Sequence, residues 1–173
     1  MTMPEQPPHE QQETGQVLAA SLVQRVNEAR SLLSRFDEGE SLATRGPGTW
    51  SRRQIIGHLI DSSVNNLHRF IRAQQAEELR FPDYDQPFWV DRGGYQERSW
   101  AELVGLWSAL NLHLAAVIGR IPENQLDTPC RIGGSRPLTL GFIASDYLDH
   151  MNHHLNQILD PEGSKRKEHP PWG

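Results

Sequence analysis

Apolar residues recur at three- and four-residue steps in four separate stretches of the chain, the period of an amphipathic α-helix. The first stretch begins near Glu13 and places Leu18, Leu22, Val26, Leu33 and Phe36 along one face. The polar segment 37–48, with its Gly and Pro, ends it. Ser51 followed by Gln54 has capping-box spacing, so a second helix starts just after Trp50 and runs to about Leu79. Ser99 with Glu102 repeats that spacing and opens a third, which carries Leu103, Trp107, Leu110, Leu114 and Ile118 and closes at Pro122. A connection over 122–137 leads to Thr139 and a fourth helix to Leu159, stopped by Asp160-Pro161. No stretch alternates as a half-buried strand does. The pattern predicts an all-α fold, a four-helix bundle over residues 14–160. Residues 1–13, rich in Pro, Gln and Glu, read as disordered, and 161–173 as a mobile tail.

Residues 81–98, between the second and third helices, show no helical period. A loop of that length inside a compact domain is uncommon unless it covers a site. Its five aromatics, Phe81, Tyr84, Phe88, Trp89 and Tyr95, are costly to leave in water, so the loop is expected to fold back on the helices. It is then either a hydrophobic plug or the wall of a pocket.

Polar residues inside the helices raise the question of chemistry. The segment Asp146–Ile158 contains His150, His153 and His154 within an otherwise apolar helix. At ~100° per residue, His150 and His154 project about 40° apart, one turn from each other, on the face that carries Tyr147, Met151 and Leu155. Two imidazoles aimed into a core suit a divalent metal; solvated or hydrogen-bonded histidines are the bland alternative. The second helix holds a polar stripe of His58, Asp61, Ser62, Asn65 and Arg69 at helical spacing. Such a stripe is commonly a solvated face, but His58 lies in Ile-Ile-Gly-His-Leu-Ile, which argues for an inward ring.

Composition narrows the classes. The chain of 173 residues has 17 basic and 22 acidic side chains, a net charge of −5. Without a concentrated basic face, nucleic acid is not the expected partner; the local cluster Lys165-Arg166-Lys167 falls in the tail. Nothing approaches an uninterrupted run of ~18 apolar residues, so no membrane span is expected. The first residues lack the pattern of a secretory signal. The single cysteine, Cys130, excludes an internal disulfide and fits a reducing cytoplasm. As a lone thiol it is either a nucleophile or a small residue at a loop edge.

Trp50, the run Ile56-Gly57-His58-Leu59-Ile60-Asp61-Ser62 and the segment from Asp146 to Gln157 resemble the DinB/YfiT-like superfamily, over roughly residues 15–160. The resemblance implies a four-helix bundle in which His58, His150 and His154 hold one divalent metal, zinc first and nickel or iron next, with His153 a neighbour and not a ligand. It also implies metal-dependent thiol transferases, which use a low-molecular-weight thiol, or hydrolases or isomerases, and homodimers among relatives. Two classes of function follow. In one, the protein is an enzyme acting on a small molecule: Asp61 orients an imidazole or takes a proton, Asn65 and Arg69 hold a substrate carboxylate, and Tyr84 and Trp89 wall the pocket. In the other, the metal only ties two helices of a binding or stress-response protein together.

Overall fold

The computed structural model describes residues 14–160. The segment 1–13 and the tail 161–173, with Lys165-Arg166-Lys167, lie outside the described residues. Four long helices form the bundle: α1 (Gly15–Leu33), α3 (Arg52–Ala73), α5 (Trp100–Ile118) and α6 (Leu140–Leu159). Two short ones, α2 (Glu38–Leu42) and α4 (Gln86–Gly93), sit in the connections. Each long helix starts on a side-chain cap. Thr14, Ser51, Ser99 and Thr139 accept from the backbone N–H three residues on, and Ser51 with Gln54 completes the expected capping box.

Around the bundle the helices run in the order α1, α5, α3, α6, each packing on the next and α6 returning to α1. Consecutive α1 and α3 are therefore diagonal, as are α5 and α6; the connections through α2 and through the sheet make those crossings possible. By length and composition α5 would also span a membrane, with a mean hydropathy of 1.5, although its apolar residues are interrupted by Ser, Asn and His. In the bundle it packs between α1 and α3 and buries Leu103, Trp107, Leu114 and Ile118.

Three expectations are corrected. The second helix stops at Ala73, capped at Gln74, and does not reach Leu79. Leu79 instead opens a strand, and three short strands exist: β1 (Leu79–Phe81), β2 (Pro129–Ile132) and β3 (Leu138–Thr139), in the order β1-β2-β3. β1 pairs parallel to β2, Leu79 opposite Cys130, and β2 pairs antiparallel to β3, Cys130 opposite Leu138. Strands of two to four residues are too short to show alternation, and pairing between distant segments decides them. Cys130 is thus in a strand, fully buried, its thiol donating to the Thr128 carbonyl; burial pushes that thiol up to about 11. It is no thiolate at neutral pH.

The third correction concerns residues 81–98, which are not one irregular loop. Asp85 caps α4 by accepting from Phe88 N–H, Pro87 sits in its first turn, and Gly94 closes it in the left-handed conformation at φ 62°. Helical period cannot register in eight residues. Nor do all five aromatics fold inward: Phe88 is 55% exposed and Trp89 37%, whereas Tyr95 is 6% exposed.

Tyr95 explains two glycines. A Cβ on Gly57, in the middle of α3, would stand 2.1 Å from the Tyr95 ring, and one on Gly93 would stand 2.4 Å from it. The ring is wedged between them, and α3 accepts a glycine in its interior for that reason. Polar contacts inside the bundle are closed in the same way. Ser63, Asn111 and Tyr147 join α3, α5 and α6 in a triangle, with Asn111 Nδ2 donating to Ser63 Oγ and Tyr147 Oη donating to Asn111 Oδ1. Arg53 is 6% exposed and fully engaged, donating to Ser41 Oγ, the Gln96 carbonyl and Glu38.

The wedge makes a prediction. Gly57→Ala should lose about 1–3 kcal/mol by overpacking against Tyr95. Gly105→Ala, where an added Cβ meets nothing within 4 Å in the interior of α5, should gain roughly 0.5–1 kcal/mol. Urea unfolding of the two variants checks both signs.

Candidate metal centre

α3 and α6 face each other in the bundle, and their polar stripes meet at one level. From α3 comes His58, fully buried; from α6 come His150, 2% exposed, and His154, half-buried. One ring nitrogen from each lies within 4.8 Å of the other two. His58 Nε2 and His150 Nε2 are 3.1 Å apart. Two nitrogens ~2.0–2.1 Å from one tetrahedral ion would stand ~3.3 Å apart, so the pair is spaced for a shared cation. The rings meet edge to face, with centroids 4.5–5.0 Å apart and planes 75–77° apart.

Their protonation suits that role. Burial first, and the neighbouring His154 second, pull His58 down to about 3, so its imidazole is neutral across the physiological range. His154 is oriented from outside: its Nδ1 lies 2.8 Å from Gln157 Oε1, an oxygen that can only accept. A proton on Nδ1 donating to that oxygen makes Nε2 the ring's cation-binding nitrogen. Gln157 Nε2 in turn donates to His153 Nε2 at 2.9 Å, which employs His153 outside the cluster.

Asp61 lies one turn beyond His58 on α3 and is 5% exposed. Its Oδ1 accepts from Tyr95 Oη at 2.5 Å, while Oδ2 is buried without a hydrogen-bond partner. Burial raises this carboxyl to about 6 against the opposing pull of the Tyr95 hydroxyl. The other anticipated residues divide. Asn65 is buried and donates to the Asp61 carbonyl at 2.9 Å, a contact within its own helix. Arg69 is 1% exposed and faces a separate cavity against Asp146 and Tyr147, a further two turns along α3 from Asp61. Tyr84 is half-buried, its hydroxyl within electrostatic reach of both Asp61 and Arg69. Trp89 rests edge-on against Tyr84 at 5.2 Å on the surface. It does not line the histidine cluster directly.

Two neighbours of the centre were not anticipated as site residues. Tyr95 holds Asp61, and the sequence carried a signal for it in Gly57 and Gly93-Gly94. Trp50 covers His58 with its ring 5.3 Å away; its place immediately before the Ser51 cap could have pointed to it.

Residues 21–158 match the DinB superfamily. The chain belongs to that superfamily. A protein of Oceanobacillus iheyensis named as a candidate metal-dependent hydrolase is 25% identical over 135 residues, 76% of each chain. Among solved structures, YfiT from Bacillus subtilis, described as having an unusual four-helix bundle topology, aligns with a TM-score of 0.73. That alignment covers 91% of this chain and 89% of YfiT at 19% identity, which speaks to the fold alone.

The cluster yields two predictions. Alanine at His58, His150 or His154 should abolish stoichiometric metal in element analysis, and His153→Ala should largely spare it. For metal-free protein the direction with pH also follows. His58 titrates at 6.5 when unfolded and at about 3 when folded. As pH falls below 6.5 the unfolded chain takes up a proton the folded one refuses, so stability falls progressively down to about 3. His58→Gln should flatten that acid limb in melting curves of chelator-treated protein.

Proposed function

We propose that this DinB-superfamily protein is a metal-dependent enzyme of hydrolase type acting on a small molecule, with His58, His150 and His154 holding one divalent cation. The observation that carries the reading is Asp61: a buried carboxylate one turn from a three-nitrogen cluster, with one oxygen fixed by Tyr95 and the other unbonded. A metal staple between α3 and α6 needs no such group. The names of the Oceanobacillus and Bacillus relatives point to the same reaction class.

A neutral three-imidazole set suits zinc first, with nickel or iron next. A cation held by these three residues would supply Lewis acidity and would lower the pKa of a water or a low-molecular-weight thiol toward neutrality. The chain does the rest. Gln157 fixes the His154 tautomer, Trp50 shields His58, and Tyr95 holds Asp61 so that Oδ2 can accept the nucleophile's proton. With its acid form favoured up to about pH 6, Asp61 can also return that proton to a leaving group. Asn65 holds the α3 backbone at Asp61, and Tyr84 stands by the stripe with Trp89 packed on its outer side.

The test is Asp61→Asn in metal-loaded protein, assayed on panels of small esters, amides and thiol-dependent substrates. Turnover should fall about 10²–10⁴-fold with metal content unchanged. Full turnover with only a lowered melting temperature would leave Asp61 as a structural partner of Tyr95.

A further inference from the structure

We propose that the buried guanidinium of Arg69 is a carboxylate-binding subsite, which a movement of Tyr84 would enlarge. Arg69 is 1% exposed; its guanidinium stands over the Phe81 ring at 5.7 Å, and of its nitrogens only Nη1 is hydrogen-bonded, by a long 3.4 Å donation to Asn66 Oδ1. Nε and Nη2 are buried with no hydrogen-bond partner. Those two nitrogens share one edge of the guanidinium, the edge that takes both oxygens of a carboxylate in parallel hydrogen bonds. A buried cation with two idle donors costs stability, and a position needing only packing would be filled by Leu or Met. The arrangement is preorganised for an acceptor the chain does not itself supply.

The surroundings define which acceptor. Arg69 faces a cavity of about 10 Å³ between Ile132 and Leu138 of the sheet and Asp146 and Tyr147 of α6, room for about one water. Asp83 and Asp146 both support the positive charge electrostatically, and Asp146 lines the same cavity, while Nε and Nη2 make no hydrogen bond. Two acids around one cation disfavour a multiply charged anion such as phosphate and favour a single carboxylate. Space for it comes from Tyr84, which sits in the short coil between β1 and α4. Its ring packs on half-exposed Trp89, and its hydroxyl stands within electrostatic reach of both Arg69 and Asp61. When Tyr84 withdraws, the Arg69 chamber opens toward Asp61. A small monocarboxylate gripped at Arg69 then presents its other end to the histidine cluster. That orientation rests on the function proposed above; carboxylate binding itself does not.

The experiment is a titration of isotope-labelled protein, following the Arg69 Nε–H signal by NMR, assigned through its contact with the Asn66 side-chain amide. Propionate is compared with chloride at equal ionic strength, in metal-free and metal-loaded protein. A saturable shift with propionate alone, in both forms, is expected. Tyr84→Ala should bind propionate about tenfold more tightly, equivalent to ~1.4 kcal/mol, and Arg69→Gln should lose the binding. If Arg69→Gln fails to fold, the wild-type titration decides alone. An equal response to chloride means an adventitious ion only and overturns the subsite, as does no response in Tyr84→Ala. Binding that survives in metal-free protein while Asp61→Asn leaves turnover intact would sink the catalytic reading and spare the subsite.

Discussion

Desolvation along the seam between α3 and α6 is the constraint on which the rest of the structure depends. His58, Asp61, Ser62, Ser63, Asn65, Asn66 and Arg69 on α3, and His150 on α6, are all buried. A helix face of this polarity belongs in water, and turning it inward costs several kcal/mol for each charge not neutralised or paired. The chain meets that cost locally in most places. Ser63, Asn65 and Asn66 bond back to carbonyls or side chains one turn earlier or to α5, and His58 gives up its charge. Buried atoms left without a partner include His58 Nδ1, Asp61 Oδ2 and Arg69 Nε and Nη2 along this seam, and Trp107 Nε1 and Ser108 Oγ on α5. Four of these atoms lie on one stripe of α3, the stripe that meets the α6 histidines.

The scaffold is stiffest around those unmet groups. The Ser63–Asn111–Tyr147 triangle fixes the spacing of α3, α5 and α6 just below the cluster. On the α1 side, Arg25 donates to Asn152 and Asn156 and so locks the rotation of α6 that aims its histidines. Tyr95 is held by two glycines, and through it a 3₁₀ turn far along the chain sets the position of a carboxylate on α3. Preorganisation of this kind spends packing freedom to keep polar atoms where water would otherwise scatter them.

How much of this the sequence disclosed depended on range. The four long helices were legible because each carries its own cap and enough turns for a period to register. The histidines were legible because His150 and His154 share a helix, where spacing translates directly into direction. Their union with His58 rested on family resemblance and on the Ile-Ile-Gly-His-Leu-Ile context. The strands at Leu79, Pro129 and Leu138 were not legible, since two to four residues show no alternation and the first two pair with each other across about fifty residues of chain. The helix at 86–93 was missed although Asp85, Pro87 and Gly94 spell its ends, because a period was sought where only caps could speak. Trp89 was placed in the pocket by its aromatic character, and helix α4 turns it outward to stack on Tyr84 instead.

Diagonal placement of consecutive helices carries this one step further. Because α1 and α3 are not neighbours, the chain crosses the end of the bundle between them, through α2; that crossing brings Glu38 and Ser41 onto Arg53 at the start of α3. Because α5 and α6 are likewise diagonal, the second crossing carries β2 and β3 against β1, over the end of α3 where Arg69 lies. A simple up-and-down bundle with short turns would leave the Arg69 end of the α3–α6 seam open to water, and its guanidinium would be solvated and weakly selective. The sheet closes that end and α4 flanks it, so the Arg69 guanidinium, the Asp61 carboxylate and the His58 and His150 imidazoles are all buried, with His154 half-buried beside them. The topology that a helical pattern could not predict is thus what converts a polar stripe into a site.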